Sequence, residues 1–574
     1  MEEREGGEPM TVEESYLPRV GVFVCHCGVN IGGVVDVPAV VRYAEGLLGV
    51  VYSESNLYSC SSDGLSKMKV AIEKHGLERV VVASCTPRTH EPLFQAACED
   101  AGLNKYLFEM ANIRDQCSWV HMHEPEEATR KAKDLVRMAV AKAVLLKPQK
   151  EPEISVEPKA LVIGGGISGL TSSLSLAQQG FRVHLVEKAP QLGGMLRDLG
   201  KLFPTNMESW ELLAPRIEAV ESHPNIVVHI SAEVGAVSGY IGNFDIEVLS
   251  NGSVENINIG TIIVATGADN LEPTGLYGYG EDPRIVTQMQ LEGLSEDELV
   301  DANRIVMIQC VGSRNEERPY CSRICCSVAM NNALLLKEND ESREIYILYR
   351  DLQTYGTQYT PLEQRAKEKR VKLIKYLDER PPEVITGCDS LVVKVYNPLL
   401  NEVLDLETDL VVLSTPLIPN ADAKELSQKL RVPLNSDGFF MEAHVKLRPI
   451  DFATDGIYVC GSAHSPKEIG ESISQAYGVA SRAAIPMAKG TLRAAAITSQ
   501  IDEGRCSGCG TCIELCPYKA IQKDEMGIAR VTSAVCKGCG VCGASCPERA
   551  ITMSHFTNEQ IEAQAHAALG RVED

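Results

Sequence analysis

Two stretches near the C-terminus carry the most specific chemistry in the chain. Cys506, Cys509, Cys512 and Cys516 precede Pro517, and the same 2-2-3 spacing returns thirty residues later in Cys536, Cys539, Cys542 and Cys546 before Pro547. Thiolates two residues apart on a tight loop converge on three corners of one cubane, while the fourth, set back before a proline, ligates the other cluster. Cys506, Cys509 and Cys512 are therefore expected to pair with Cys546, and Cys536, Cys539 and Cys542 with Cys516. Gly508, Gly510, Gly538 and Gly540 let the loops bend and bring backbone N–H groups close to sulfide. Structural zinc sites use two CxxC pairs across a wider gap. The repeat predicts two [4Fe-4S] clusters.

The remaining cysteines, of twenty in all, are also grouped. Cys310, Cys321, Cys325 and Cys326 lie within seventeen residues and form a candidate third iron–sulfur pocket, against the alternative of buried thiols and a vicinal disulfide. Cys25 and Cys85 each end an apolar β-like run, and Cys60 follows VVYSESN. With Cys27 they are expected to hold a further [4Fe-4S] cluster, Cys117 being a rival ligand. Cys98, Cys388 and Cys460 read as small buried hydrophobes.

A different chemistry opens at residues 160–187, ALVIGGGISGLTSSLSLAQQGFRVHLVE. An apolar strand runs into Gly164, Gly166, Ile167, Ser168 and Gly169, a helix follows, and a second strand ends at Glu187. Glycines there allow a pyrophosphate to approach a helix N-terminus whose dipole favours the anion. A carboxylate about twenty residues on can accept from ribose hydroxyls. Lys188 and Gly194 join this candidate set. Two distant segments accompany it: IGTIIVATGA (259–268), with Ala265, Thr266 and Gly267, and 455–484, with Gly461 and Ser462. Both resemble segments of two-dinucleotide-binding-domain flavoproteins and so imply FAD, with Ser462 in place of the usual aspartate. The candidate strand of a second nucleotide unit, RIVMIQ (304–309), leads into Cys310-Val-Gly-Ser-Arg, with no glycine-rich cradle. Nicotinamide binding is not expected.

These groups need elements to position them. Residues 19–147 alternate β-rich runs with helical stretches and read as a parallel α/β domain, closed by a long helix from about Glu126 to Leu146. Residues 1–18 read as a disordered acidic lead and 148–159 as a linker rich in Pro, Glu and Lys. An FAD domain is expected over 160–495, with a degenerate nucleotide subdomain at about 288–425. An α+β two-cluster domain covers 496–574. A length of 574 residues accommodates several such domains. The formal charge of −23 and 5 % aromatic content argue against nucleic-acid binding. No apolar run reaches about eighteen residues, so no transmembrane helix is expected. The start, MEEREGGEPM, is the reverse of a secretory signal. A cytoplasmic setting follows, where thiols stay reduced.

The C-terminal repeat resembles bacterial ferredoxins, and the central domain resembles thioredoxin-reductase-like flavoproteins. Together with CHCGVNIGG (25–33), VVVASCTPRTHEP (80–92), FEMANIRDQCSWVH (108–121) and Cys-x10-Cys-x3-Cys-Cys, they resemble the A-type subunit of heterodisulfide reductase, an iron–sulfur flavoprotein family. The resemblance implies an oxidoreductase subunit that relays electrons between a donor partner, flavin, clusters and a disulfide-reducing partner. Implied partners are B- and C-type subunits, ferredoxin, and an input subunit of hydrogenase or dehydrogenase type, with a homodimer inside a larger complex. Some members insert another ferredoxin module, whereas residues 197–309 here hold no cysteine. The resemblance leaves flavin-based electron bifurcation open as part of that function; against it stands Asn331, where bifurcating members tend to carry a lysine shortly after the double cysteine. The competing readings are a self-contained NAD(P)H-dependent oxidoreductase of the glutamate-synthase small-chain type and a non-catalytic relay scaffold. His464 is expected to be structural. The tail 557–574 is expected to be a frayed helix, against the alternative that it docks a partner.

Overall fold

The computed structural model describes residues 17–570 except 251, 296, 301, 355–359, 388–390 and 495. Cys388 and most of the expected disordered lead lie outside the described residues. The chain forms two compact units, one from the described parts of Met1–Pro152 and Arg493–Asp574, the other from Glu153–Leu492.

In the first unit, strands β1 (Val20–Cys25), β2 (Val50–Asn56), β3 (Arg79–Ser84) and β4 (Phe108–Asn112) make a parallel sheet in the order β2-β1-β3-β4. The near-continuous apolar runs of β1 and β3 suit central strands of a sheet covered by helices. Val22, Val24, Val80, Val81 and Val82 are fully buried. The order reverses between β1 and β3, which opens a crevice beyond their C-terminal ends. Helices α1 (Pro87–Asp100) and α2 (Pro125–Val144) belong to the same unit. Helix α2 buries Ala128, Ala132, Val136, Ala139 and Ala143, a helical-period stripe of mostly small side chains.

The division between the two units, at Pro152 and Glu153, falls within 148–159, the stretch expected to be a linker, and parts of that stretch are held by hydrogen bonds. Asn104 Nδ2 donates to Gln149 O at 2.8 Å, Tyr106 Oη donates to Glu151 at 2.7 Å, and Glu153–Ser155 is a strand. Its Pro, Glu and Lys content signals a flexible polymer only where nothing captures the backbone and the carboxylates; here both are captured.

The second unit holds two parallel sheets. Its strands are β5 (Lys159–Ile163), β6 (Arg182–Val186), β7 (Ile226–His229), β8 (Thr261–Val264), β9 (Ile285–Thr287), β10 (Arg304–Ile308), β11 (Glu344–Tyr349), β12 (Lys372–Lys375), β13 (Leu410–Leu413) and β14 (Ile457–Val459). One sheet runs β7-β6-β5-β8-β14 and the other β9-β13-β10-β11-β12, all neighbours parallel. Helix α3 (Ile167–Gln178) follows β5, α4 (Cys325–Asn339) follows β10 by way of the cysteine loop, and α5 (Ile469–Lys489) follows β14. Three-stranded antiparallel sheets at 232–259 and 383–408 complete the unit.

The C-terminal segment returns to the first unit. Strand β15 (Ser499–Ile501) pairs antiparallel with β16 (Ile551–Met553), and Ile521–Lys523 pairs with Ala529–Val531. Helix α6 (Asn558–Leu569) starts at a capping box formed by Thr557 and Gln560. It lies along α2: Gln560 Nε2 donates to Leu145 O at 3.0 Å and Arg137 Nε to Ala567 O at 2.6 Å. Buried Lys142 pairs with Glu109 at 2.8 Å, and His555 Nε2 stands 3.4 Å from the same carboxylate. The described part of the tail is thus an ordered helix held along α2 by this chain's own residues, and not frayed. Among the described residues no helix is long and apolar enough to cross a membrane.

Candidate functional site

The loop after β5 closes only on glycine. Gly164 has φ +106°, and a Cβ there would stand 2.4 Å from Ala265 O; one on Gly169 would stand 1.8 Å from Gly164 O. The turn after β8 is drawn in by Ala265 N–H, which donates to Ile163 O at 2.8 Å. Above Gly166, the N-cap of α3, the space is open: the nearest atom to an added Cβ is Gly194 Cα at 3.9 Å. That leaves the first N–H groups of α3, between Gly166 and buried Ile167 and Ser168, available to an anion. Glu187 accepts the N–H groups of Gly165 and Ala189 at 2.6 and 2.8 Å, which locks the carboxylate against the loop. Lys188 meets Asp422 at 2.8 Å and Asn420 at 3.3 Å. Gly164, Glu187, Lys188, Thr266 and Asp422 line one cleft. The hydroxyl of Thr266 is buried without a partner.

The segment after β14 closes the same site. Gly461, at φ +70°, has no room for a side chain, since a Cβ would lie 2.3 Å from Ser168 Oγ. Ser462 follows in the short turn Gly461–Ala463. Gln475 accepts the N–H of Gly461 at 2.9 Å and donates to His464 Nδ1 at 3.0 Å. His464 Nε2 lies 2.8 Å from Glu442, and Lys467 Nζ lies 3.2 Å from Nδ1. Both imidazole nitrogens are occupied, as expected of a structural histidine. Burial, with Arg323 nearby, pushes Lys467 down to about 8.

In the second sheet the equivalent loop carries thiols. Gln309 and Cys310 follow β10, with Cys310 at φ +61°. Burial raises Cys325 first, and neighbouring Cys326, Cys310 and Cys321 add to it. Cys326 is pushed up to about 11 by burial, again with Cys310 and Cys321 contributing. The four thiols therefore lie near enough to influence one another, on the loop between β10 and α4 and at the start of α4, with Cys325 Sγ beside Thr415 O and Cys326 Sγ beside Asp351 O. Burial raises Cys310 as well, opposed by nearby Arg350 and Arg314. Gln309 is 1 % exposed, and neither polar atom of its side chain has a partner. Tyr320 Oη donates to Leu417 O at 3.0 Å, and its ring meets Phe439 edge-on at 5.5 Å.

The N-terminal thiols meet at the crevice between β1 and β3. Cys60 is raised by burial and by Cys25 and Cys27; Cys85 is raised by burial, opposed by Arg114, with Cys27, Cys25 and Cys60 adding. Cys25 Sγ accepts the N–H groups of Cys27 and Ser59, each at 3.3 Å. Arg114 Nη1 lies 3.9 Å from Cys27 Sγ. Asn56 Nδ2, Ser59 Oγ and Ser84 Oγ are buried beside these thiols without partners. Cys117 is not among them: its thiol donates to Ala128 O at 3.0 Å. Cys98 is fully buried in α1 and Cys460 in the second unit, both packed as hydrophobes.

At the C-terminus, one cavity is lined by Cys506, Cys509, Cys512 and Cys546 together with Gly508, Gly510 and Pro547. It is the crossed set that the repeat predicts. Cys542 is raised by burial, with Cys536 and Cys539 as neighbours, and Ser499 Oγ lies 3.0 Å from its sulfur. Cys516 shares their core, and its sulfur accepts the N–H of Ala520 at 3.3 Å.

Residues 499–553 match the family model "4Fe-4S dicluster domain", and residues 162–200 match "NAD(P)-binding Rossmann-like domain". The second match covers the loop that cradles a pyrophosphate, a group NAD(P) and FAD share. Over 97 % of this chain and 98 % of its own length, the A-type subunit of "H(2):CoB-CoM heterodisulfide,ferredoxin reductase" from Methanothermobacter thermautotrophicus is 42 % identical. This chain belongs to the family of heterodisulfide reductase A-type subunits. The second of the A-type iron–sulfur subunits of "CoB--CoM heterodisulfide reductase" from Methanopyrus kandleri is 40 % identical over 96 % of this chain and 99 % of its own. The first alignment runs over 652 positions, more than the 574 residues here, so that relative carries stretches this chain lacks. Among solved structures, thioredoxin reductase of T. acidophilum is similar at 18 % identity and a TM-score of 0.40, covering 58 % of this chain and 99 % of that one.

The residues present fit the groups they imply. Around the glycine loop there is a backbone cradle with an orphaned Thr266 hydroxyl, and around each thiol set outside the repeat there are orphaned buried amide or hydroxyl groups. Sequence reasoning missed Gly193, Asn420, Asp422, Gln309, Arg114 and Arg323. The paired glycines at 193 and 194 were a usable signal, and Gln309 and Arg323 adjoin cysteines the pattern already marked; Asn420, Asp422 and Arg114 reach their sites from distant parts of the chain.

Proposed function

We propose that this chain is the flavin- and iron–sulfur-containing electron-transfer subunit of a heterodisulfide-reductase-like complex. FAD, when bound, takes electrons in a pair and releases them singly, whereas each [4Fe-4S] cluster takes one. The observation that carries the reading is the thiol loop at the crevice of the second sheet, where a nicotinamide-binding protein needs a phosphate cradle. Gly312 cannot provide one: at φ +77° it is packed against Leu271, 2.3 Å from an added Cβ.

The chain's own residues prepare each site. The α3 N-terminus, with Gly166 and Gly169, would hold the FAD pyrophosphate; Glu187 would face the ribose, with Lys188 at the cleft mouth. Ala265, Thr266, Gly267, Gly461 and Ser462 would close over the cofactor. Cys310, Cys321, Cys325 and Cys326 would hold one cluster, with Arg314 and Arg350 offsetting thiolate charge. Cys25, Cys27, Cys60 and Cys85 would hold another, beside Arg114. The C-terminal thiols would hold two, in the crossed pairing. Implied partners are B- and C-type subunits, ferredoxin and a hydrogenase- or formate-oxidising input, in a homodimer-based complex in the cytoplasm. Asn331, buried in α4, stands where bifurcating members are expected to carry lysine, so the flavin is read as a relay. Joint reduction of a high- and a low-potential acceptor would overturn that part.

Iron, acid-labile sulfide and flavin quantitation with EPR tests the whole reading. One flavin and about sixteen iron per chain are expected for four cubanes. About eight iron would remove both thiol sites outside the C-terminal repeat.

A further inference from the structure

Arg323 lies between two thiols of the Cys310–Cys326 loop, with its backbone at φ +67°. A residue other than glycine holds that conformation only where its surroundings impose it. Its N–H donates to Cys321 Sγ at 3.3 Å. The guanidinium reaches the opposite way: Nη1 donates to Pro466 O at 3.2 Å and Nη2 to Glu471 Oε1 at 2.7 Å. Glu471 is the N3 residue of α5, and its other oxygen accepts the N–H of Glu468 at 3.2 Å in a capping box. One carboxylate oxygen thus closes the first turn of α5 while the other anchors Arg323. A single residue thereby bonds a thiol through its backbone and the start of the cofactor-facing helix through its side chain.

We propose that Arg323 is a positioning residue that clamps the Cys310–Cys326 loop to the Gly461–Glu471 segment through Glu471, so that the thiol site and the flavin site are filled cooperatively. The proposal rests on the reading above, that the loop holds a cluster and the segment holds FAD. If the clamp couples the two sites, filling one tightens the other by the same factor.

A double-mutant cycle on the full-length protein tests it. FAD affinity is read by fluorescence in the parent, Cys325→Ser, Arg323→Gln and the double variant. Cys325→Ser is expected to weaken FAD binding about fivefold or more in the parent, and to have no further effect once Arg323 is Gln. Arg323→Lys is expected to retain an intermediate coupling. A residue that merely supports the fold would lower FAD affinity by the same factor with or without the thiol. An equal factor in both backgrounds, or no effect of Cys325→Ser in the parent, therefore overturns the clamp. Glu471→Gln keeps the capping acceptor and removes the charge; it must abolish the coupling too, and it replaces Arg323→Gln if that variant does not fold. Iron content separates the two levels. Cys325→Ser with the parent's iron overturns the four-thiol reading and the clamp with it; loss of about four iron with unaltered coupling overturns the clamp alone.

Discussion

The two parallel sheets of the second unit share a plan and differ in what they place at the crevice. After β5 the chain turns through Gly164 at φ +106°, and α3 begins with an open N-terminus at Gly166. After β10 it turns through Cys310 at φ +61°, and α4 begins with Cys325 and Cys326. In the first, absence of side chains exposes backbone N–H groups to an anion. In the second, thiol side chains stand at the same kind of crevice, where they are proposed to supply soft ligands. A parallel sheet dictates where a ligand goes, and the residue types at the strand ends dictate which.

The sharpest way to break this contrast is to fill the glycine crevice. Gly169→Ala places a Cβ 1.8 Å from Gly164 O, an overpacking that costs on the order of 3 kcal/mol if the loop stays in place. The expected product is a protein with its iron but without its flavin, read by flavin and iron per chain; full flavin occupancy would break the cradle. In the other sheet, Cys325→Ser is expected to remove about four iron and leave the C-terminal EPR signals unchanged. A third test asks whether the second crevice keeps any nicotinamide site. Neither NADH nor NADPH is expected to bleach the flavin of the isolated chain, and rapid bleaching would make the two sheets alike after all.

The smallest effect concerns acid stability of the first sheet. His184 on β6 stacks on His229 of β7 at 5.4 Å, and burial, with His229 and other cations adding, lowers His184 to about 4. A histidine with a folded value below its ordinary 6.5 must shed its proton to fold. Its stability contribution is intact above about 6.5 and is lost as pH falls from there toward about 4. The loss is on the order of 2 kcal/mol. His184→Gln is expected to flatten the fall in melting temperature between about pH 7 and about pH 5; an unchanged slope would assign the acid sensitivity elsewhere.

Much of the fold and site was legible because it is written in short-range pattern. The valine-rich runs of β1 and β3, the glycines at 164, 166 and 169, and the repeated cysteine spacing each specify local geometry without help from distant residues. Helix α6 was misread as frayed for the converse reason. The partners that hold it, Arg137 and the carbonyl of Leu145, lie in another part of the chain.

By itself the sequence determined the kinds of chemistry: thiols at iron–sulfur spacing, a pyrophosphate cradle with its Glu187, and a second nucleotide unit without one. Only the tertiary structure decided which groups act together. It turned Cys117 toward Ala128 and away from the other N-terminal thiols, drew Cys546 to Cys506, Cys509 and Cys512, and set Arg323 between Cys321 and Glu471. Ligand type follows from residue identity and local spacing. Convergence depends on packing between segments far apart in the chain, which no local pattern encodes.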